Sequence, residues 1–205
     1  MIKANSGKAP LSQVISSFNS VGLLSDDYRV ILSTAGEPLI HPNRKDFFDA
    51  FDGFELAINS NGSIFDDDLF KLMSKKKVLL LTSVDAGTPE TYAQIKGLDF
   101  FEKTKANLYR YSRAPVGIVA LKYLFVPGVN DNIADIDGFI RCCDETGATF
   151  VIISVDYYSF DKISANTTEM VRRLKTGLSN LDILCVPYTA GESAEYIQAL
   201  MGLLD

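Results

Sequence analysis

The chain has 205 residues, 47% of them apolar and 22% charged, with a formal net charge of -6. That is the length of a single domain of about 100 to 200 residues, with an ordinary globular composition that excludes a disordered or fibrous chain. The acidic balance argues against a broad phosphate-neutralising surface and so against nucleic-acid binding. No apolar run approaches the roughly 20 residues that span a bilayer, and Met1-Ile2-Lys3-Ala4-Asn5 leads into no signal-peptide core, so a cytoplasmic location is expected.

Residues 1–9 are small and polar and read as a frayed end. Leu11, Val14, Ile15, Phe18 and Val21 recur at spacings of three and four, which predicts an amphipathic helix over residues 10–24. A short branched run over 28–34 predicts a strand, and it leads directly into Gly36-Glu37-Pro38. Phe47, Phe48 and Phe51 mark a helix over 43–52, a strand follows over 54–59, and Asn59-Ser60-Asn61-Gly62 is a turn sequence tolerant of positive φ. A helix over 66–75 has acids in its first turn and lysines at its end, as the helix dipole favours.

Val78-Leu79-Leu80-Leu81-Thr82-Ser83-Val84 is apolar at successive positions, the pattern of a strand covered on both faces in a parallel sheet. Thr88-Pro89-Glu90 then combines an N-cap residue, a proline at the first helical position and an acid. A short helix to Lys96, a helix over 99–113 and a strand over 116–125 follow, the last closed by Val126-Pro127-Gly128-Val129-Asn130-Asp131. Helices over 133–146, 168–178 and 192–204 alternate with strands over 149–155 and 181–186. Strict alternation without hairpin signals predicts one α/β domain over 1–205, a parallel sheet of about six strands that is either doubly wound or an open barrel.

Both architectures bind ligands at the carboxyl ends of their strands. The residues there are Ser33, Thr34, Gly36 and Glu37; Asn59, Ser60 and Asn61; Ser83 and Asp85; Lys122 and Tyr123; Ser154 and Asp156; Tyr188 and Thr189. Such a set points to a pocket, although any single member could serve only as a helix cap. His41, between Ile40 and Pro42, is expected to pack or cap. Of Cys142 and Cys143 at least one is expected to be a core residue, and Cys185 is expected to face the core as well. The three cysteines form no disulfide framework, and one histidine leaves no basis for a histidine-bound zinc.

Four stretches, in order, resemble the radical S-adenosylmethionine (radical SAM) enzymes. Ala35-Gly36-Glu37-Pro38 is similar to the Gly-Gly-Glu-Pro turn, and Asn59-Ser60-Asn61-Gly62 to the Thr-Asn-Gly strand end. Ser83-Val84-Asp85-Ala86-Gly87-Thr88-Pro89-Glu90-Thr91-Tyr92 with Ile95-Lys96-Gly97 resembles the fourth-strand segment. Leu121-Lys122-Tyr123 with Pro127-Gly128-Val129-Asn130-Asp131 resembles the fifth strand and its loop, and Val151-Ile152-Ile153 the sixth. The likeness covers about residues 11–156, with 157–205 as an extension, and implies a partial TIM-like barrel lacking its first strand.

The resemblance implies that Ala35, Gly36, Glu37 and Pro38 receive the methionine amino group of S-adenosylmethionine. It further implies that Asn61 follows at the next strand end, that Ser83 and Asp85 approach ribose or carboxylate, that Ile153 borders adenine, and that Lys122 faces the substrate. One departure is Ala35 in place of the first glycine. The second is the absence from this sequence of the Cys-x-x-x-Cys-x-x-Cys loop that holds a [4Fe-4S] cluster in the family. The expectation is a carboxyl-terminal portion of such an enzyme, inactive alone, with an incomplete cofactor site and an exposed sheet edge suited to homodimerisation. A cluster-free S-adenosylmethionine or nucleotide binding module is the alternative. A barrel enzyme using Lys122 as a Schiff-base nucleophile, with Asp85 or Asp156 as base, is the third.

Overall fold

The computed structural model describes residues 11–22, 29–33, 36–51, 53–156, 163–188, 196 and 200–202. The bounded elements among these residues are, in chain order, α1 Leu11–Ser20, β1 Arg29–Leu32, α2 Arg44–Ala50, β2 Glu55–Asn59, α3 Asp67–Lys75, β3 Val78–Ser83, α4 Pro89–Lys96, α5 Phe101–Ser112, β4 Ile118–Phe125, α6 Ile133–Thr146, β5 Phe150–Val155, α7 Ala165–Ser179 and β6 Leu184–Pro187. Most of the helix expected over 192–204 lies outside the described residues. Three differences have local causes. Pro38–Ile40 forms a 3-10 turn because the Glu37 side chain accepts the Leu39 N–H. The last long helix begins three residues earlier than expected, because Ser164 and Thr167 build a reciprocal capping box. The final strand begins later because residues 181–182 turn, with Asp182 at φ 57°.

All neighbouring strands are parallel and the order is β1-β2-β3-β4-β5-β6. Sequential order decides between the two architectures. Right-handed crossovers that always advance by one strand put every helix on the same side, whereas a doubly wound sheet needs a reversal of order. The result is an open, partial barrel of six strands, with β1 and β6 at its edges.

Strand periodicity divides the side chains between two environments. Leu56, Ile58, Leu80, Val119, Leu121, Tyr123, Phe125, Val151 and Ile153 face the helices and pack with Leu69, Met73, Leu108, Tyr111, Ile136, Phe139 and Leu174 into one buried core. The alternate residues line the inner face in register. Ile31, Ala57, Leu79 and Ile118 share one level, and Asn59, Leu81, Ala120, Phe150 and Leu184 the next. Ser83, Lys122, Ile152 and Val186 come above these, then Leu124 and Ser154. Polarity on this face therefore rises toward the carboxyl ends.

Loops are held by specific side chains. Lys76, expected to serve the dipole of its own helix, donates Nζ to the main-chain oxygens of Phe51 and Phe54 and so fastens the end of α2. His41 accepts the Asn43 N–H on Nδ1, a capping role. The loop after β3 touches α6 so closely that a Cβ on Gly87 would stand 1.8 Å from the Asp135 oxygen, and one on Gly138 would stand 2.0 Å from the Gly87 oxygen. Only glycine permits that approach, and Asp135 completes it by accepting the Gly87 N–H at 2.9 Å and the Thr91 hydroxyl at 2.8 Å.

Candidate functional site

A cavity of about 500 Å³ opens at the carboxyl ends of the strands. Its wall takes Gly36 and Glu37 from the turn after β1, Asn59, Ser60 and Asn61 from the end of β2, Ser83 from β3, Lys122 from β4 and Tyr188 from just beyond β6. Ser63, Leu81, Tyr92, Lys96, Leu98 and Phe100 complete it. No single element could supply this donor set, because the polar side chains of one strand end point apart until neighbouring strands bring them together.

Glu37 is the most heavily engaged polar group of the cavity. Its Oε1 accepts the Leu39 N–H at 3.1 Å and the Ser60 hydroxyl at 2.9 Å, while Oε2 accepts the Asn61 N–H at 2.7 Å. The carboxylate thus ties the β1 turn to the β2 turn. Asn61 in turn accepts the Ser63 N–H through Oδ1 at 2.9 Å, a closed Asx turn. Gly36 borders open space, since a Cβ there would meet nothing within 4 Å. Pro38 is buried at the start of the 3-10 turn and does not line the cavity; Ala35, Thr34 and Thr189 lie outside the described residues.

Asp85 stands behind the cavity wall. It is 3% exposed and adopts φ 60°, a left-handed conformation that aspartate tolerates better than most residues. Oδ1 accepts the Leu124 N–H at 2.7 Å, and Oδ2 is paired with Lys96 Nζ. Its main-chain oxygen accepts from Asn130 Nδ2 at 2.8 Å, and the same amide donates to Leu124 at 2.7 Å and accepts the Val126 N–H at 2.7 Å. Tyr123 donates its hydroxyl to the Asn130 oxygen at 2.7 Å. Burial pushes the Tyr123 phenol far above its ordinary value, so it remains a donor. This network locks the loops after β3 and β4 together and brings Lys96 to the cavity rim.

The strand parity explains which expected residues reach the cavity. Ser83 and Lys122 are register partners on the inner face and both line it. Lys122 Nζ sits 4.5 Å from the centroid of the Tyr188 ring. Ile153 is 1% exposed and its side chain packs toward the helices, as do Tyr123 and Val155; its neighbour Ile152 takes the inner face. Ser154 is on the inner face but buried, and its hydroxyl has no hydrogen-bond partner among the described residues. Lys96, Tyr92, Leu98 and Phe100 were not among the strand-end residues, because helix α4 and the segment after it fold over the mouth. Tyr92 and Lys96 fall in the stretches that resemble the fourth-strand segment, whereas Leu98 and Phe100 carried no advance signal.

None of the three cysteines lines this cavity. Cys142 and Cys143 are buried on α6, and burial pushes the Cys142 thiol up to about 12 and Cys143 well above its ordinary range. Cys185 packs against the core from β6, with burial raising its thiol to about 11. Among the described residues no group of three or more His, Cys, Asp or Glu side chains could hold a metal ion, and no helix is long and apolar enough to cross a membrane.

Known proteins share both fold and sequence with this chain. A probable GTP 3',8-cyclase of Methanothermobacter marburgensis is 27% identical over 159 residues, covering 70% of this chain and 52% of that protein. Streptococcus suis SuiB bound to its precursor peptide SuiA superimposes with a TM-score of 0.59 at 10% identity, covering 89% of this chain and 42% of that one. Native anSMEcpe with bound AdoMet and a Cp18Cys peptide gives a TM-score of 0.63 at 14% identity, covering 88% and 55%. The chain thus spans about half the length of these proteins. Residues 19–140, more than half of the sequence, match the radical SAM superfamily, and the chain belongs to that superfamily.

Proposed function

We propose that this chain forms the S-adenosylmethionine-binding part of a radical SAM enzyme. The observation that supports the reading most directly is the convergence of Glu37, Asn61, Ser83 and Lys122 from four strand ends on one cavity. The donor set suits an amino acid joined to a ribose: an acid, hydroxyls, amides and a cation around open space at Gly36. Among the described residues Glu37 Oε2 accepts one hydrogen bond, which leaves lone-pair capacity for an ammonium group. Ser83 offers a hydroxyl to ribose or carboxylate. Asp85 contributes by holding Lys96 and the β4 backbone, while Ile153 stiffens the wall behind Ile152.

S-adenosylmethionine supplies a sulfonium whose one-electron reduction starts radical chemistry, and the electron comes from a low-potential iron–sulfur centre. The described residues do not fit such a cluster: the three thiols lie on the helical side, neutral and apart from the cavity. All three cysteines of the 205 residues are accounted for in this way, so we assign the thiolate ligands to polypeptide other than these residues, and the 205 residues alone to binding without cleavage. A cytoplasmic location belongs to the same proposal, since free thiols and reducible clusters belong in reducing compartments.

Titration calorimetry with S-adenosylmethionine tests the reading; saturable heat is expected, and none at millimolar ligand would overturn it. Anaerobic addition of ferrous iron and sulfide is expected to produce no thiolate-to-iron absorption. Among the described residues β1 pairs only with β2, and Ile31 on its inner side is 62% exposed. We propose homodimerisation through that open edge, which a monomer in sedimentation at micromolar concentration would refute.

A further inference from the structure

Helix α5 carries Thr104, Asn107, Leu108 and Tyr111 at spacings of three and four, and this face of the helix is buried. Asn107 brings an amide into it, and a buried amide needs a partner. It finds one in the turn after β2, where Nδ2 donates to the Gly62 oxygen at 2.9 Å. The Gly62 N–H donates in turn to Ser60 Oγ at 3.1 Å, and the Ser60 hydroxyl donates to Glu37 Oε1 at 2.9 Å. Hydrogen bonds thus run without a break from the middle of α5 to the acid in the cavity wall. Because Ser60 Oγ accepts from Gly62, its own proton is left for Glu37, and accepting one bond strengthens the one it donates.

The turn has little room to slip. Gly62 adopts φ 71°, and a Cβ there would stand 3.0 Å from Thr104 Cγ2 and 3.2 Å from Thr82 Cγ2, so the turn rests directly on α5 and β3. Tyr111 holds the following residues separately, its hydroxyl accepting the Asp66 N–H at 2.6 Å. At the other end of the chain of bonds, Glu37 Oε1 is shared between Ser60 and the Leu39 N–H. A carboxylate released by Ser60 would turn, and its bond to Leu39 would change with it. We infer that Asn107 is a positioning residue: through Gly62 and Ser60 it fixes the rotation of the Glu37 carboxylate, so that the oxygen bonded to Asn61 is the one presented to the ligand's ammonium group. The ligand's identity rests on the S-adenosylmethionine reading above, whereas the path from Asn107 to Glu37 does not.

The test uses the full chain labelled with nitrogen-15. Asn107→Leu keeps the side chain's size and removes its donor, and Asn107→Ala removes the same donor without leucine's shape. In both variants, without ligand, the Leu39 amide resonance is expected to shift in the direction that Glu37→Gln produces, although Leu39 lies 68 positions from Asn107. Affinity for S-adenosylmethionine is expected to fall about fivefold when Glu37 is present and less than about twofold in the Glu37→Gln background, since changes along one chain of contacts do not add. Tyr111→Phe is the comparison. It loses the hydroxyl on Asp66 but no bond of the chain, so it should lower the thermal midpoint and leave the Leu39 resonance and the affinity as in the parent. An unmoved Leu39 amide, losses that add in the double variant, or an equal loss of affinity in Tyr111→Phe would overturn the inference. If S-adenosylmethionine does not bind the parent chain, the cofactor reading fails while the Leu39 amide still decides the role of Asn107.

Discussion

Glu37 accepts the main-chain N–H of Asn61 at 2.7 Å, so the carboxylate at the end of one strand fixes the backbone at the end of the next. With Ser60 and Leu39 on its other oxygen, the same side chain sets the shape of one cavity wall. Glu37→Gln places an NH₂ group against one of these three donors. We predict a loss of about 1 kcal/mol in urea unfolding together with at least about a fivefold loss of S-adenosylmethionine affinity. An unchanged affinity would leave Glu37 with a purely local role.

Asp85 combines a left-handed backbone, a buried ion pair with Lys96 and an accepted Leu124 N–H. Asp85→Ala removes both partners and puts a Cβ residue without a local acceptor at φ 60°, at a predicted cost of about 3 kcal/mol. Asp85→Asn can still accept from Leu124 and tolerates the left-handed conformation, so it should cost about half as much. Equilibrium unfolding of the two variants distinguishes these roles, since equal costs would mean that the ion pair alone matters.

Gly87 and Gly138 are predicted to be intolerant of alanine. The added methyl would meet main-chain atoms at 1.8 Å and 2.0 Å, and neither the loop nor α6 can yield without breaking the Asp135 hydrogen bonds. Each substitution should cost about 3 kcal/mol or more. The control is Gly36→Ala, where the Cβ enters open space and stability should hardly change.

The thiols make a pH prediction. Burial raises Cys142 from 9.0 to about 12 and Cys185 to about 11, so the native state keeps protons that the unfolded chain releases. Their contribution is complete below about pH 9 and is lost as pH rises toward the folded values, at most about 1.4 kcal/mol per group and pH unit. Stability should therefore fall between about pH 9 and 11, less steeply in Cys142→Ala. In the native state at neutral pH, Ellman's reagent should leave Cys142 and Cys143 unmodified, and both should react in denaturant.

Much of the strand-and-helix order was legible because each unit has its own local chemistry. Thr88-Pro89 starts α4, Asp66 caps α3 and Asn132 caps α6, each through a side chain accepting the N–H three residues on. The expected edges of α7 and β6 were displaced because a Ser-Thr capping box and a positive-φ turn act over three or four residues and carry no hydrophobic period. Gly36, Glu37, Asn61, Ser83 and Lys122 were recognisable as strand-end polar residues. Asp85 and Ile153 were recognisable too, but not the direction in which their side chains point.

That direction is a tertiary property. The sequence by itself determined the parallel alternation, the glycines and caps, and the family likeness, since these depend on residues near one another in the chain. It left open whether the sheet was doubly wound or a barrel, because periodicity does not specify the order in which strands pair. Strand order then decided which alternate set faces the helices and which faces the cavity. It put Ile153 in the core, committed Asp85 to Lys96 and Leu124, and set Tyr188 against Lys122. These contacts join residues up to 66 positions apart, from Lys122 to Tyr188, and only packing brings such distant groups within a few ångströms.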